Sequence, residues 1–274
     1  MKTLPVALQL YSVRDFAEKD LEGTLKGVKE MGYDGVEFAG THGAAPDRLK
    51  EMLAGFGLAA VSSHVPIAEI FENPAGAVEK YKSIGCGYIA IPYLPPELRP
   101  SGADFPKTLD AILKAGEICN DNGMRLLYHN HDFEFSKMPG GAFELDCLYT
   151  SVPADILQAE LDVCWIKYAG QDPAAYIRKY AGRCPVIHLK DFYREGPSEG
   201  VYDLLGETEK DPEEKRGVFE FRPLGQGVQD FPPILEAAEV CGAEWLIVEQ
   251  DLSVGRTSMD AARISREYLK RQGY

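Results

Sequence analysis

The chain has 274 residues, 45% of them hydrophobic and 26% charged, enough apolar material for a sizeable core and too much for a disordered chain. A formal net charge of −14, with no local basic patch to offset it, argues against nucleic acid or an anionic membrane as a partner. The six cysteines, Cys86, Cys119, Cys147, Cys164, Cys184 and Cys241, lie far apart without a CxxC pair, so we expect reduced, packed thiols and a cytoplasmic protein.

The opening segment, MKTLPVALQLYSVRD, is too short and too interrupted by Pro5, Gln9 and Ser12 for a signal peptide or membrane span. Within it PVALQLY (5–11) reads as a first strand, and no GxGxxG follows, which weakens a dinucleotide-binding reading. LEGTLKGVKEMG (21–32) places apolar residues at helical spacing and stops at Gly; DGVEFAG (34–40) is the next strand. PDRLKEMLAGFG (46–57) repeats the helix pattern and leads into LAAVSSH (58–64). The alternation continues through helix 75–85, strand YIAIPYL (88–94), helix 104–123, strand MRLLYHN (124–130) and strand DILQAELD (155–162). Helix 172–182, strand CPVIHLKD (184–191), helix 230–242, strand WLIVEQD (245–251) and helix 258–272 complete the chain.

Several strands are apolar at consecutive positions, as strands buried on both faces of a parallel sheet are. Eight such units at roughly 25–35 residue spacing predict a single-domain (β/α)8 barrel over residues 1–274. One polar, acidic insert at 192–227 separates the seventh strand from its helix. It reads either as a solvated loop or as a lid over the barrel mouth.

Active sites of such barrels form at the C-terminal ends of the strands. There the sequence places Gln9, Glu37, His64, Tyr93, LYHNHDFE (127–134), Asp162, His188 with Lys190, and Glu249 with Asp251. A lone carboxylate at a strand end is commonly a helix cap. Taken jointly, Asp162, His188 and Glu249 supply oxygen and imidazole ligands suited to Mn²⁺, Mg²⁺, Co²⁺ or Zn²⁺.

The motifs DGVEF (34–38), SSHVP (62–66), YHNHDFEF (128–135), ELDVCW (160–165), VIHLKD (186–191), PLGQGVQDF (223–231) and IVEQD (247–251) together resemble the xylose isomerase-like barrels, which include sugar epimerases and inosose-processing enzymes. The resemblance implies one divalent ion, Mn, Mg, Co, Zn or Fe, held by groups at the ends of the last four barrel strands. Asp162, His188 and Glu249 take the last three places. At the first, where the family carries Glu, this chain has His129; either His129 is the ligand or Glu134 reaches back to the ion. Asn130 and His131 are then available for the substrate or for supporting the ligands.

The ion would polarise a carbonyl and stabilise the enediolate left when the neighbouring C–H loses its proton. Glu134 and Glu249 are the candidate acid and base, and Lys190 the candidate oxyanion partner. Glu37, His64, Trp165 and Arg222 are candidate substrate contacts, Trp165 standing where related epimerases often carry His. These features imply a sugar isomerase or epimerase acting on a small carbohydrate, with a lyase acting on an inosose or keto-sugar as runner-up and a non-catalytic sugar-binding protein as a third class. Barrels of this kind often pair through loops at the mouth, so a homo-oligomer is also an expectation.

Overall fold

Strand residues alternate between two apolar environments, and that alternation builds the molecule. Ile89, Leu126, Leu161, Ile187 and Leu246 face the helices, in one continuous core with Leu25, Val28, Leu49 and Ile112. Their neighbours Ala90, Leu127, Val186 and Ile247 face inward with Ala7, Val61 and Tyr88, filling the barrel interior.

The computed structural model describes residues 3–196 and 218–274. Its barrel strands are β1 (Val6–Gln9), β2 (Gly35–Ala39), β3 (Ala59–His64), β4 (Tyr88–Ile91), β5 (Arg125–His129), β6 (Leu157–Asp162), β7 (Val186–Leu189) and β10 (Trp245–Val248). All pair in parallel, and β10 closes the cylinder onto β1. The fold is the (β/α)8 barrel that the sequence pattern predicts. The helix stops at Gly32 and Gly57 are left-handed caps, with φ of 92° and 65°.

Inside the barrel, polarity rises along the strands. The inward positions after the aliphatic layer are Gln9, Glu37, His129, Glu160, Asp162, His188 and Glu249, all buried. Register sets His129 opposite Glu160 and Asp162 opposite His188. Burying so many ionisable groups is costly unless they are paired or hold an ion.

The described parts of the insert form a hairpin, β8 (Asp191–Glu195) antiparallel to β9 (Val218–Arg222). Phe192, Phe219 and Phe221 pack it onto Trp165 and Tyr168. The lid expected over 192–227 falls partly on residues 197–217, outside the described residues. The described parts of the insert contribute nothing to the wall of the barrel-mouth cavity.

All six cysteines are free thiols. Among the described residues no helix is long and apolar enough to cross a membrane.

Candidate active site

Two tiers of ionisable side chains occupy the upper barrel. In the lower tier Glu160 Oε1 lies 2.8 Å from His64 Nε2, 3.1 Å from His129 Nδ1 and 3.1 Å from His188 Nε2. Glu37 Oε2 accepts from Gln9 Nε2 at 2.8 Å and lies 2.7 Å from His188 Nε2. That nitrogen sits between the two carboxylates without a directed hydrogen bond to either.

The upper tier contains His129 Nε2, Asp162, His188 Nδ1, Glu249 and Lys190. His188 Nδ1 is 3.1 Å from Glu249 Oε2, and His129 Nε2 is 3.8 Å from Asp162 Oδ2. Lys190 Nζ reaches Asp251 at 2.8 Å, Glu249 at 3.3 Å and Asp162 at 3.7 Å. Asp162 serves two purposes at once. Its Oδ1 caps helix Val163–Tyr168 by accepting from Cys164 N and Trp165 N, which leaves Oδ2 buried and without a hydrogen bond.

One ligand atom from each of His129, Asp162, His188 and Glu249 lies within 4.8 Å of the others, and the same holds for His64, His129, Glu160 and His188. Electrostatics supports a cation here. Glu37, Glu160, Asp162, Glu249 and Asp251 are buried around one ammonium, Lys190. Burial opposes charge on His188, but Glu160 and Glu37 outweigh it and hold the ring well above the usual histidine range; Glu37 and Glu160 likewise raise His64. Five buried carboxylates thus outnumber the one buried ammonium, and a bound cation would offset part of that excess. Burial pushes Asp162 up to about 7 although Lys190 pulls the other way. Glu249 would also rise by burial, but Lys190 and His188 keep it well below the usual carboxylate range. The orphaned oxygens and the mixed imidazole–carboxylate donors therefore fit a divalent metal.

A cavity of about 510 Å³ opens above the upper tier. Glu249, Lys190, Asp251, His129 and His131 line it at one end; Tyr11, Pro66, Glu69, Lys80 and Tyr93 line it on the side of β1 to β4. His64 also lines it, with Nε2 turned down to Glu160.

Five residues expected at the site are engaged elsewhere. Glu134 follows β5 on the outward side: its carboxylate accepts from Tyr128 OH at 2.5 Å and His131 N at 2.8 Å, so it does not turn back to the ion ligands. Of the two residues considered for the strand-5 place, His129 is the one in the cluster. Asn130 is spent on backbone, accepting from Asp162 N and donating to His131 O. Trp165 is wholly buried against Phe219 and Phe221, because the hairpin covers the face a sugar would need. Arg222 pairs with Glu220 and lies over Tyr193 on the hairpin, away from the cavity wall. Glu37 is in the lower tier, below the cavity. Conversely, Glu160 was not singled out by the sequence reading, which looked to strand ends; its signal was the acidic pair Glu160 and Asp162 at i, i+2, on one face of β6. Asp251 stood among the strand-end groups without a role.

An eight-stranded parallel barrel with convergent acids and imidazoles at the C-terminal rim has the architecture of a barrel enzyme. The family model of xylose isomerase-like TIM barrels matches residues 25–272, and the chain belongs to that family. It is 25% identical over 276 residues to an inosose dehydratase of Geobacillus kaustophilus (strain HTA426), covering 90% of this chain and 85% of that one. It is 29% identical over 170 residues to an inosose dehydratase of Clostridium beijerinckii (strain ATCC 51743 / NCIMB 8052), covering 59% of this chain and 52% of that protein. A sugar phosphate isomerase/epimerase structure from Parabacteroides distasonis ATCC 8503 superposes with a TM-score of 0.76 at 22% identity, over 98% of this chain and 94% of that one.

Proposed function

We propose that the protein is a metal-dependent enzyme that removes the proton beside a carbonyl of a polyhydroxylated substrate, a keto-sugar or inosose, and then expels a β-oxygen substituent. The observation that carries the reading is the convergence of His129, Asp162, His188 and Glu249 under a cavity whose wall contains Lys190 and Asp251. Sequence reasoning put isomerisation or epimerisation first. The inosose dehydratase relatives, and Asp251 and Lys190 standing 2.8 Å apart in the cavity wall, support elimination as the first reading instead.

When bound, the ion would polarise the carbonyl and spread the negative charge of the enediolate. The other work falls to side chains of this chain. Glu249, held ionised by Lys190 and His188, serves as a ligand. Asp251 is raised by burial, outweighing Lys190, and is the better proton acceptor. It takes the C–H proton, leaving that electron pair in the enediolate. As the pair forms the new C=C bond, the β C–O bond breaks and Lys190 protonates the departing oxygen. Asp251 then returns its proton to Lys190 across their 2.8 Å contact, closing the cycle.

A second reading, epimerisation, needs a proton carrier on the opposite face. His131 lines the cavity on the loop after β5, three strands from Glu249 around the barrel, which places an imidazole on that side; burial drops its pKa well below the usual histidine range, making it a weak base and elimination the first reading.

The test is incubation of Mn²⁺-loaded protein with inososes and keto-glucosides in D₂O. The proposed reaction gives an unsaturated product one water, or one alcohol, lighter, and Asp251→Asn lowers its rate by about 10²–10⁴-fold. Deuterium beside the carbonyl with no loss of mass would instead establish epimerisation, and an inert panel with metal-free protein would return the chain to the binding-protein class.

A further inference from the structure

The lower tier has no part in the proton transfers above, although its Glu37 and Glu160 are wholly buried. His129 and Glu160 are register partners on adjacent strands, with His129 Nδ1 hydrogen-bonded to Glu160 Oε1 at 3.1 Å. An ionised carboxylate only accepts, so the imidazole nitrogen facing it is the one that carries the proton. The other nitrogen, Nε2, is then a bare lone pair, and it faces Asp162 in the upper tier. His188 Nε2 lies between Glu37 Oε2 at 2.7 Å and Glu160 Oε1 at 3.1 Å, and Nδ1 faces Glu249 Oε2 at 3.1 Å; a cation seated between Nδ1 and Glu249 would displace the Nδ1 proton and leave the one on Nε2.

We infer that Glu160 is a positioning residue: its carboxylate fixes His129, and with Glu37 also His188, in the tautomer and orientation that aim one lone pair of each ring at the metal seat. Behind His129 it also makes a neutral ring a stronger donor, as carboxylates behind ligating histidines do. Glu160 accepts from His64 at 2.8 Å as well, so one oxygen ties three rings from β3, β5 and β7 together. The two four-residue groups that share His129 and His188 are on this view one seat and its foundation. A neutral imidazole cannot give both nitrogens to two cations at once, and Glu160 takes the lower ones.

The inference rests on the proposed metal seat, and the test separates the two. Full-length protein stripped with chelator is titrated with Co²⁺ alone, following visible absorption and competition with a chelating dye. The seat predicts one Co²⁺ per chain for the unaltered protein. Glu160→Gln keeps the volume but cannot accept from the rings as an anion does; it weakens Co²⁺ binding about 10–100-fold and shifts the absorption bands. In the Zn²⁺-loaded protein, nitrogen NMR of the five histidines finds His129 protonated at Nδ1 and His188 at Nε2. Should Glu160→Gln fail to fold, Glu37→Gln gives a smaller loss confined to His188, and the NMR tautomers stand without any variant. Unchanged Co²⁺ affinity and bands in Glu160→Gln overturn the inference and leave the seat intact. Two Co²⁺ per chain, one lost in Glu160→Gln while the other binds as before, overturn it in favour of a deeper cation with Glu160 as ligand. No Co²⁺ on the unaltered protein removes the seat itself, and the positioning role with it.

Discussion

The Glu134 carboxylate is buried on the outer side of β5, bonded to Tyr128 OH and the His131 amide. It is one of two acids in LYHNHDFE, and spacing alone allows it to bend back to the ion. The pleat decides otherwise: Tyr128 points outward and His129 inward, and Glu134 joins Tyr128 on the outer side. Burial raises its carboxyl to about 7, more than its hydrogen bonds from Tyr128 and the His131 amide lower it. The sign of the pH dependence follows. A carboxyl raised above its unfolded value is stable protonated, so it subtracts stability as pH climbs from the unfolded value of 4.5 through about 7. Glu134→Gln removes that penalty. Relative to the unaltered protein, its unfolding free energy in urea should improve by about 1–3 kcal/mol between pH 5 and pH 8, with catalytic rate changed less than tenfold. A variant whose relative stability is flat across that range, or whose activity vanishes, would put the carboxylate back in the site.

At the scale of elements, the strands and most of their helices were legible because their apolar spacing is strict. The hairpin was not, since VFEFR and DFYRE sit within a polar, turn-rich insert whose mean character hides two short strands. The segment PLGQGVQDF carried a signal that only the structure explains. The buried Asp191 carboxylate accepts from four backbone amides, those of Phe192, Gly225, Gly227 and Gln229, at 2.9–3.1 Å, so the chain wraps around it. A Cβ on Gly227 would stand 2.2 Å from Asp191 Oδ1 and 2.3 Å from Phe192 O, which is why glycine occupies that place. Asp191→Ala strands those amides in a buried position. We expect a loss of about 3 kcal/mol or more in urea unfolding, with hydrogen exchange rising first at 225–229; exchange that stays slow there would mean the loop is held by something else.

Across the molecule, the proposed metal would be linked to stability. A bound ion would need Asp162 as carboxylate, whereas burial raises that carboxyl to about 7, so below that value it keeps its proton. Binding should therefore weaken as pH falls through that value. At pH 8, Mn²⁺ at one hundred times its Kd should add about 2.7 kcal/mol of stability, and at pH 5 clearly less at the same concentration; equal gains at both would show that Asp162 is not a ligand. The convergence of His129, Asp162, His188 and Glu249 is largely legible, since all four close apolar runs. Glu160 is not, because it lies inside β6 where a run of mixed residues gives no strand-end cue.

The two ends of the cavity come from different parts of the chain. The groups assigned to chemistry stand on β5 to β7 and β10, and the opposing wall on the loops after β1 to β4. On the proposed function, most of the reacting groups therefore come from the second half of the chain and most of the facing wall from the first. On that reading, exchanging the loops of the first half for those of a relative, with Glu37 and His64 kept in place, would retune which molecule is admitted and leave the reacting groups where they stand.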